Sequence, residues 1–378
     1  MIAQRVLAAG LVAALAVSAL PQEARNAPAD SVTWTEGGSK KTRTGVVVES
    51  AAYDEVAFSV AGRRTTIDGA DLVEIRWGDA PREFDAATAT LRAGDAGAAL
   101  AGFEQALRAR ATPRGWLVEY GSTGLGEALL ALAANDAQKA GRAAHAFATA
   151  REANPKSLVL DRILSGLSKA QLLLGKPDAA LAAADDLAAA AKAAKRPAWT
   201  TDALLLRAEA LDSRGDEPGA LRALDDLVAA AESRAAAARD AETIQRLRRT
   251  ATHAAARATW IHAEAVESKA AESVARAERA LAGLDAKGPQ DGEAQAAALN
   301  LRGAILLASG DAKAALRMFL EAEVLHFDVD EEAARAVRYQ ALCFERLGDD
   351  ARRRERISEL ETSWPATEWA RRAARTPR

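Results

Sequence analysis

Cysteine is almost missing from this chain. Among 378 residues only Cys343 is one, which excludes an internal disulfide framework and a Cys-rich zinc site. Histidine is scarce as well. His145, His253, His262 and His326 form no His-Glu-x-x-His string. His253 and His262 stand nine residues apart, roughly two and a half helical turns, so they leave a helix on opposite faces. Charge of one sign is not in excess. Lys and Arg total 50 against 53 Asp and Glu, a net charge of -3, which argues against a dedicated nucleic-acid binder. No Gly-x-Ser-x-Gly elbow occurs. Gly121-Ser122-Thr123-Gly124-Leu125-Gly126 has a phosphate-loop look, but no Lys follows it and no apolar strand precedes it. A helix break or a close helix contact is expected there instead. Adjacent acids such as Asp185-Asp186, Asp225-Asp226 and Asp349-Asp350 point in different directions on a helix, so they make no acid–base dyad. The sequence therefore calls for no cofactor, no metal and no catalytic constellation.

Alanine is what the chain has in abundance, roughly a quarter of all residues against a much more even usual mix. With only 4% aromatics, this composition favours closely packed helices over a large sheet. Residues 1–19 read as a secretory signal. Arg5 gives the positive start, Val6–Val17 the apolar run, and Val17-Ser18-Ala19 the small residues for cleavage after Ala19. The run is shorter than the ~20 residues a spanning helix requires. An exported chain of the periplasm or cell envelope is expected, with no transmembrane span after cleavage. Cys343, among Ala341, Leu342 and Phe344, is expected to be buried.

Residues 20–30 are polar, contain Pro28 and read as a linker. Residues 31–79 differ. Val32, Trp34, Val46–Val48, Val56, Phe58, Val60, Ile67, Leu72, Val73, Ile75 and Trp77 fall in short runs. Gly37-Gly38, Asp54-Glu55, Gly62-Arg63 and Asp68-Gly69 separate them. Short β-branched runs between turn residues predict four or five strands, enough for a small barrel of the SH3 or Sm type.

From Pro81 to the end (81–378) the chain is Ala- and Leu-rich and broken at Gly94-Asp95, Asn135-Asp136, Gly175, Gly215-Asp216, Gly310-Asp311 and Gly348-Asp349. The spacings are 41, 40, 40, 95 and 38 residues. A fixed period of this size signals a solenoid. The long interval fits two units with an altered turn near Glu267-Ser268, leaving 233–288 as two irregular helices or one long pair. Five residues after the turn glycine stand Ala99, Ala180, Ala220 and Ala315; seven before it stand Ala87, Ser168, Ala208, Gly303 and Ala341. Small residues at both positions let two antiparallel helices approach closely. Phe103 and Phe319 recur nine residues after the glycine, followed by Ala106 and Ala322, as a knob between small holes. Glycine suits the left-handed end of one helix, and aspartate caps the next.

On these residues the array resembles the tetratricopeptide repeat family. Gly303, Gly310, Ala315, Phe319 and Ala322 match its spacing in one unit, and Gly94, Ala99, Phe103 and Ala106 match half of another. Arg353 replaces the expected alanine in the last unit, as a polar cap would allow. The ending Trp364-Pro365-Ala366-Thr367-Glu368-Trp369 is similar to tails of exported envelope repeat proteins. The β module ahead of the array resembles exported repeat proteins of planctomycete-type bacteria.

The resemblance implies a mainly α, TPR-like solenoid of helix pairs whose first helices line a concave face. Carried onto this chain, it names Arg162, Lys169, Asp202, Glu209, Asp212, Asn300, Arg335 and Arg338 as groove residues. Asp202, Glu209 and Asp212 would make an acidic middle. Arg335 and Arg338, three apart on one helical face, would grip a carboxylate or acidic peptide. The implied function is a non-catalytic protein-binding scaffold of the cell envelope. The alternative is binding of a wall polymer or small ligand by the β module, with the repeats as a spacer or oligomerisation arm. Basic clusters at Arg246, Arg248 and Arg249 and at Arg352–Arg354 and Arg356 are flanked by acids and read as charged helix faces.

Overall fold

The structure is a computed structural model that describes residues 29–109, 115–133, 136–267, 271–285, 291–365 and 367–375. The signal and its cleavage site, nearly all of the linker, and Asn135, Ser268, Gly288 and Ala366 lie outside the described residues. The chain divides into two compact units. One is a β unit ending at Ala80; the other is a helical unit from Pro81, to which Ala52–Asp54 also belong.

The β unit contains β1 (Asp30–Glu36), β2 (Ser39–Ala51), β3 (Glu55–Val60), β4 (Arg63–Asp68) and β5 (Leu72–Arg76). They form one antiparallel sheet in the order β4-β3-β2-β1-β5. The long β2 serves both sides: its first part pairs with β1 and its last residues with β3. At Gly45, φ +74, the β1–β2 register slips by one residue, an extra residue that bends the strand. Val32, Trp34, Val46, Val48, Val56 and Phe58 are buried on one side, with the Trp34 and Phe58 rings 5.8 Å apart. Asp30 corrects the expected boundary: it is not linker but the buried first residue of β1. Its carboxylate accepts from Val48 N at 3.1 Å and Gly78 N at 2.9 Å, tying β2 to the segment after β5.

The helical unit is a TPR-like α-solenoid. Its antiparallel pairs are α1 (Arg82–Arg92) with α2 (Ala96–Arg108), α3 (Gly115–Ala131) with α4 (Ala137–Ala153), and α5 (Leu160–Leu173) with α6 (Pro177–Ala193). Next come α7 (Pro197–Arg214) with α8 (Glu217–Ala237) and α9 (Ala241–Glu267) with α10 (Ala271–Asp285). The last are α11 (Gly292–Ala308) with α12 (Ala312–Leu325) and α13 (Asp330–Arg346) with α14 (Asp350–Ser363), before a short α15 (Glu368–Arg375). The long interval in the sequence is thus one full extra pair, with α9 extended to 27 residues.

The repeat chemistry works as the spacing implies. Gly94, Gly215, Gly310 and Gly348 have positive φ. The following Asp95, Asp216, Asp311 and Asp349 accept from backbone N–H groups of the next helix at 2.9, 3.0, 2.9 and 3.1 Å. Ala99, Ala180, Ala220 and Ala315 are buried, as are Ala87, Ser168, Ala208 and Ala341. The Gly121–Gly126 string lies inside α3 and makes a close helix contact, not a break. A Cβ on Gly124 would stand 2.4 Å from Phe103 Cζ, and one on Gly126 2.9 Å from Phe147. Tyr53 belongs to this unit's core: its N–H donates to Lys156 O at 2.8 Å and its ring meets Trp199 edge-on at 5.8 Å. Cys343 is buried, and burial pushes its thiol up to about 12.

Candidate protein-binding surface

Neighbouring first helices pack on one another: α1 on α3, α3 on α5, α5 on α7, α9 on α11, α11 on α13 and α13 on α15. Among the described residues, the second helices of successive pairs do not pack in this way. The first helices therefore form one contiguous layer of the helical unit, which the resemblance would place on the inner side. Among the described first helices, α7 and α9 meet chiefly through α8, with which Ala208, Leu211, Ala254 and Ile261 share one apolar cluster.

Five of the candidate residues sit on α5 and α7, and Arg162, Lys169, Asp202 and Glu209 form a first group among them. Arg162 and Lys169 are seven residues apart on α5, and Asp202 and Glu209 seven apart on α7, a spacing of nearly two turns that keeps each pair on one face. Arg162, Lys169 and Asp202 are exposed, and Glu209 is half-buried. Arg162 forks onto Glu127 of α3, with N···O distances of 2.9 and 2.6 Å. Asp202 faces Lys169, Arg234 and Asp161. Burial first, and Asp161 second, raise its pKa against the pull of the two cations.

Asp212 belongs to a second group, with Arg257 and Glu264 of α9 and with α15. Arg372 pairs with Asp212 at 3.5 Å and with Glu264, and also with Glu368 of its own helix at 2.7 Å. Arg257 is nearly buried, pairs with Glu368 at 2.6 Å and stacks 4.1 Å from the Trp260 ring centroid. Burial raises the pKa of Asp212, with Arg257 and Arg372 opposing it.

Asn300 and Arg335 are corrected by the structure: neither lines a groove, because each is 0% exposed. Arg335 does grip a carboxylate, but that of Glu332 on its own helix, at 3.3 Å. Its other donors reach Thr259 Oγ1 at 2.8 Å and Thr259 O at 3.0 Å. Asn300 donates to Glu332 O at 2.9 Å and Glu332 Oε2 at 2.7 Å, and Trp260 Nε1 donates to Glu332 Oε1 at 2.6 Å. These residues join α9, α11 and α13 from within. Arg338 is half-buried, its guanidinium 5.8 Å from the Trp369 ring centroid. Sequence reasoning missed Arg257, Trp260, Glu264, Glu332, Trp369 and Arg372. The signal that existed was Trp364 and Trp369, five residues apart near the end of an aromatic-poor sequence.

His253 Nδ1 lies 2.8 Å from Glu293 of α11, and that hydrogen bond raises its pKa. Burial, Arg276 and Arg279 lower His262 to about 4. Asp185 pairs with Arg207 of α7 and Asp186 with Arg151 of α4, so the adjacent acids do point apart. In the last basic cluster Arg352 and Arg353 pair with Asp349 and Asp350, and Arg356 with Glu323 and Glu359. Among the described residues no group of three or more His, Cys, Asp or Glu could hold a metal ion, and no helix is long and apolar enough to cross a membrane.

No protein-family model matches the chain, and no curated protein matches it. Solved structures do. The quorum sensor NprR from B. thuringiensis in its apo form is 13% identical, with 77% of this chain and 79% of that one covered and a TM-score of 0.43. NprR in complex with its cognate peptide NprX is 14% identical over 77% and 80%, with a TM-score of 0.44. A tetratricopeptide repeat protein from Parabacteroides merdae is 16% identical over 67% and 97%, with a TM-score of 0.33.

Proposed function

We propose that the helical unit is a non-catalytic scaffold that holds a segment of a partner protein along the inner face of α3, α5 and α7. The observation that carries this reading is the placement of Arg162, Lys169 and Asp202. They stay open to solvent on α5 and α7, with Arg162 also held by Glu127, whereas Asn300 and Arg335 of later pairs are buried. Cations and carboxylates that alternate across one surface favour an elongated segment of mixed charge. A photo-crosslinking residue at position 169 should capture a discrete protein from the native envelope. The same residue at Asp226, exposed on the second helix α8, should not. Capture at 226 and not at 169 would remove the assignment. The envelope setting is part of the proposal and rests on the leader-like residues 1–19. N-terminal sequencing of the native protein would find Leu20 first if it is right.

A second reading is favoured by one feature of the β unit. Ser39–Gly45 of β2 is exposed throughout and carries Lys40, Lys41 and Arg43, while β4 exposes Arg63 and Arg64. The cations of β2, of which Lys41 pairs with Glu36 at 2.5 Å, would suit an anionic wall polymer. Retention on isolated wall material that is lost when Lys40, Lys41 and Arg43 become Glu, with capture at 169 intact, would favour it.

A further inference from the structure

α7 and α9 join mainly through α8, and α15 bridges them. Arg372 reaches a carboxylate on each of the two helices, Asp212 of α7 and Glu264 of α9. One turn earlier, Trp369 lies against Trp260 at 5.3 Å and Tyr339 at 6.1 Å, both edge-on, and is 0% exposed. Glu368 completes the set by pairing with Arg257. In eight residues α15 thus presents an acid, an aromatic ring and an arginine, and each meets a matching group beneath. The match is incomplete in one respect. Trp369 Nε1 and Arg335 Nε are buried donors without hydrogen-bond partners among the described residues, so the surface offers α15 less than its burial demands.

We propose that α15 is a tethered occupant of the inner face, and that the surface beneath it binds a helical protein segment presenting an aromatic side chain and, three residues on, an arginine. The surface consists of Asp212, Arg257, Trp260 and Glu264. The partner's arginine replaces Arg372 between the two carboxylates, and its ring replaces Trp369 between Trp260 and Tyr339. An aromatic–arginine pair is the side-chain chemistry most often dominant in protein interfaces. The inference rests on the reading of the inner face as a protein-binding surface and names a second stretch of it.

The test uses the full-length chain and the variant Arg372→Glu, which keeps Trp369 and so retains the apolar anchor. The probe is a synthetic peptide with this chain's own residues 364–378. Amide hydrogen exchange at 368–375 should accelerate in the variant while α13 keeps its protection. The peptide should bind the variant at least about tenfold more tightly than it binds the unaltered chain, whose site is filled. Adding Asp212→Asn and Glu264→Gln to the variant should abolish that binding. Unchanged exchange at 368–375, or equal binding of the peptide to both chains, would overturn the proposal and leave α15 a fixed cap. Neither result bears on capture at position 169, so the two readings fail separately.

Discussion

The ring of Phe147 on α4 occupies the space into which a side chain on Gly166 of α5 would grow. A Cβ there would stand 2.1 Å from Phe147 Cζ, well inside contact distance. Phe147 is itself fully buried, so it has nowhere to retreat. Gly166→Ala should therefore destabilise the array by about 1–3 kcal/mol through overpacking. Gly141, on the same α4, has open space around its Cβ position. Gly141→Ala should stabilise by roughly 0.5–1 kcal/mol, since alanine is the better helix former. Urea unfolding of the two variants measures both, and opposite signs are expected.

Breaking the buried ion pair should be costly. Arg335→Met leaves the Glu332 carboxylate, 1% exposed, with Asn300 and Trp260 as donors and no cation. About 3–5 kcal/mol of destabilisation follows. Arg335→Met with Glu332→Gln removes the stranded charge while keeping an acceptor for Trp260, and should recover part of the loss. Thermal unfolding of the single and double variants checks it.

Each turn aspartate should act alone. Asp95→Ala, Asp216→Ala and Asp311→Ala each remove one N-cap acceptor and should cost about 0.5–2 kcal/mol. The caps lie in separate repeats, so pairwise combinations should add. Marked non-additivity in denaturant titrations would show that the repeats are coupled beyond nearest neighbours.

The fold was readable because its instructions are local. Gly94, Gly310 and Gly348 mark turns, and Ala99, Ala315 and Phe319 mark the crossings those turns create. The candidate surface was legible only as positions on the first helices. Lys169 and Asp202 belong to helices whose inner side is set by the repeat itself. Asn300 and Arg335 occupy the corresponding positions later in the array, but Glu332 and Thr259 engage them and Trp369 closes over that part of the array. The period says nothing of Trp369, since α15 lies beyond the last pair. Partners such as Arg372 and Asp212, 160 residues apart, leave no mark in spacing.

The stability that His253 contributes, read as the difference from a His253→Gln variant, should fall as pH rises through its titration. His262, lowered to about 4, contributes a rise up to its ordinary value in both proteins. The hydrogen bond of His253 with Glu293 raises its pKa above the ordinary 6.5, so the folded state binds the proton more tightly than the unfolded chain. The contribution is complete below the ordinary value and is lost as pH passes the raised one. His253→Gln should remove that decline. Melting temperatures of both proteins between about pH 5.5 and about pH 8.5 test the sign, since a histidine titrates within that window.

The central claim is that the open charges of α5 and α7 hold a partner protein. Photo-crosslinking from position 169 in native envelope, repeated with Arg162→Glu and Asp202→Lys, tests it most directly. One discrete cross-linked protein should form and should disappear when the two charges are reversed. Capture of the same protein with both charges reversed, or capture from position 226 alone, would contradict it.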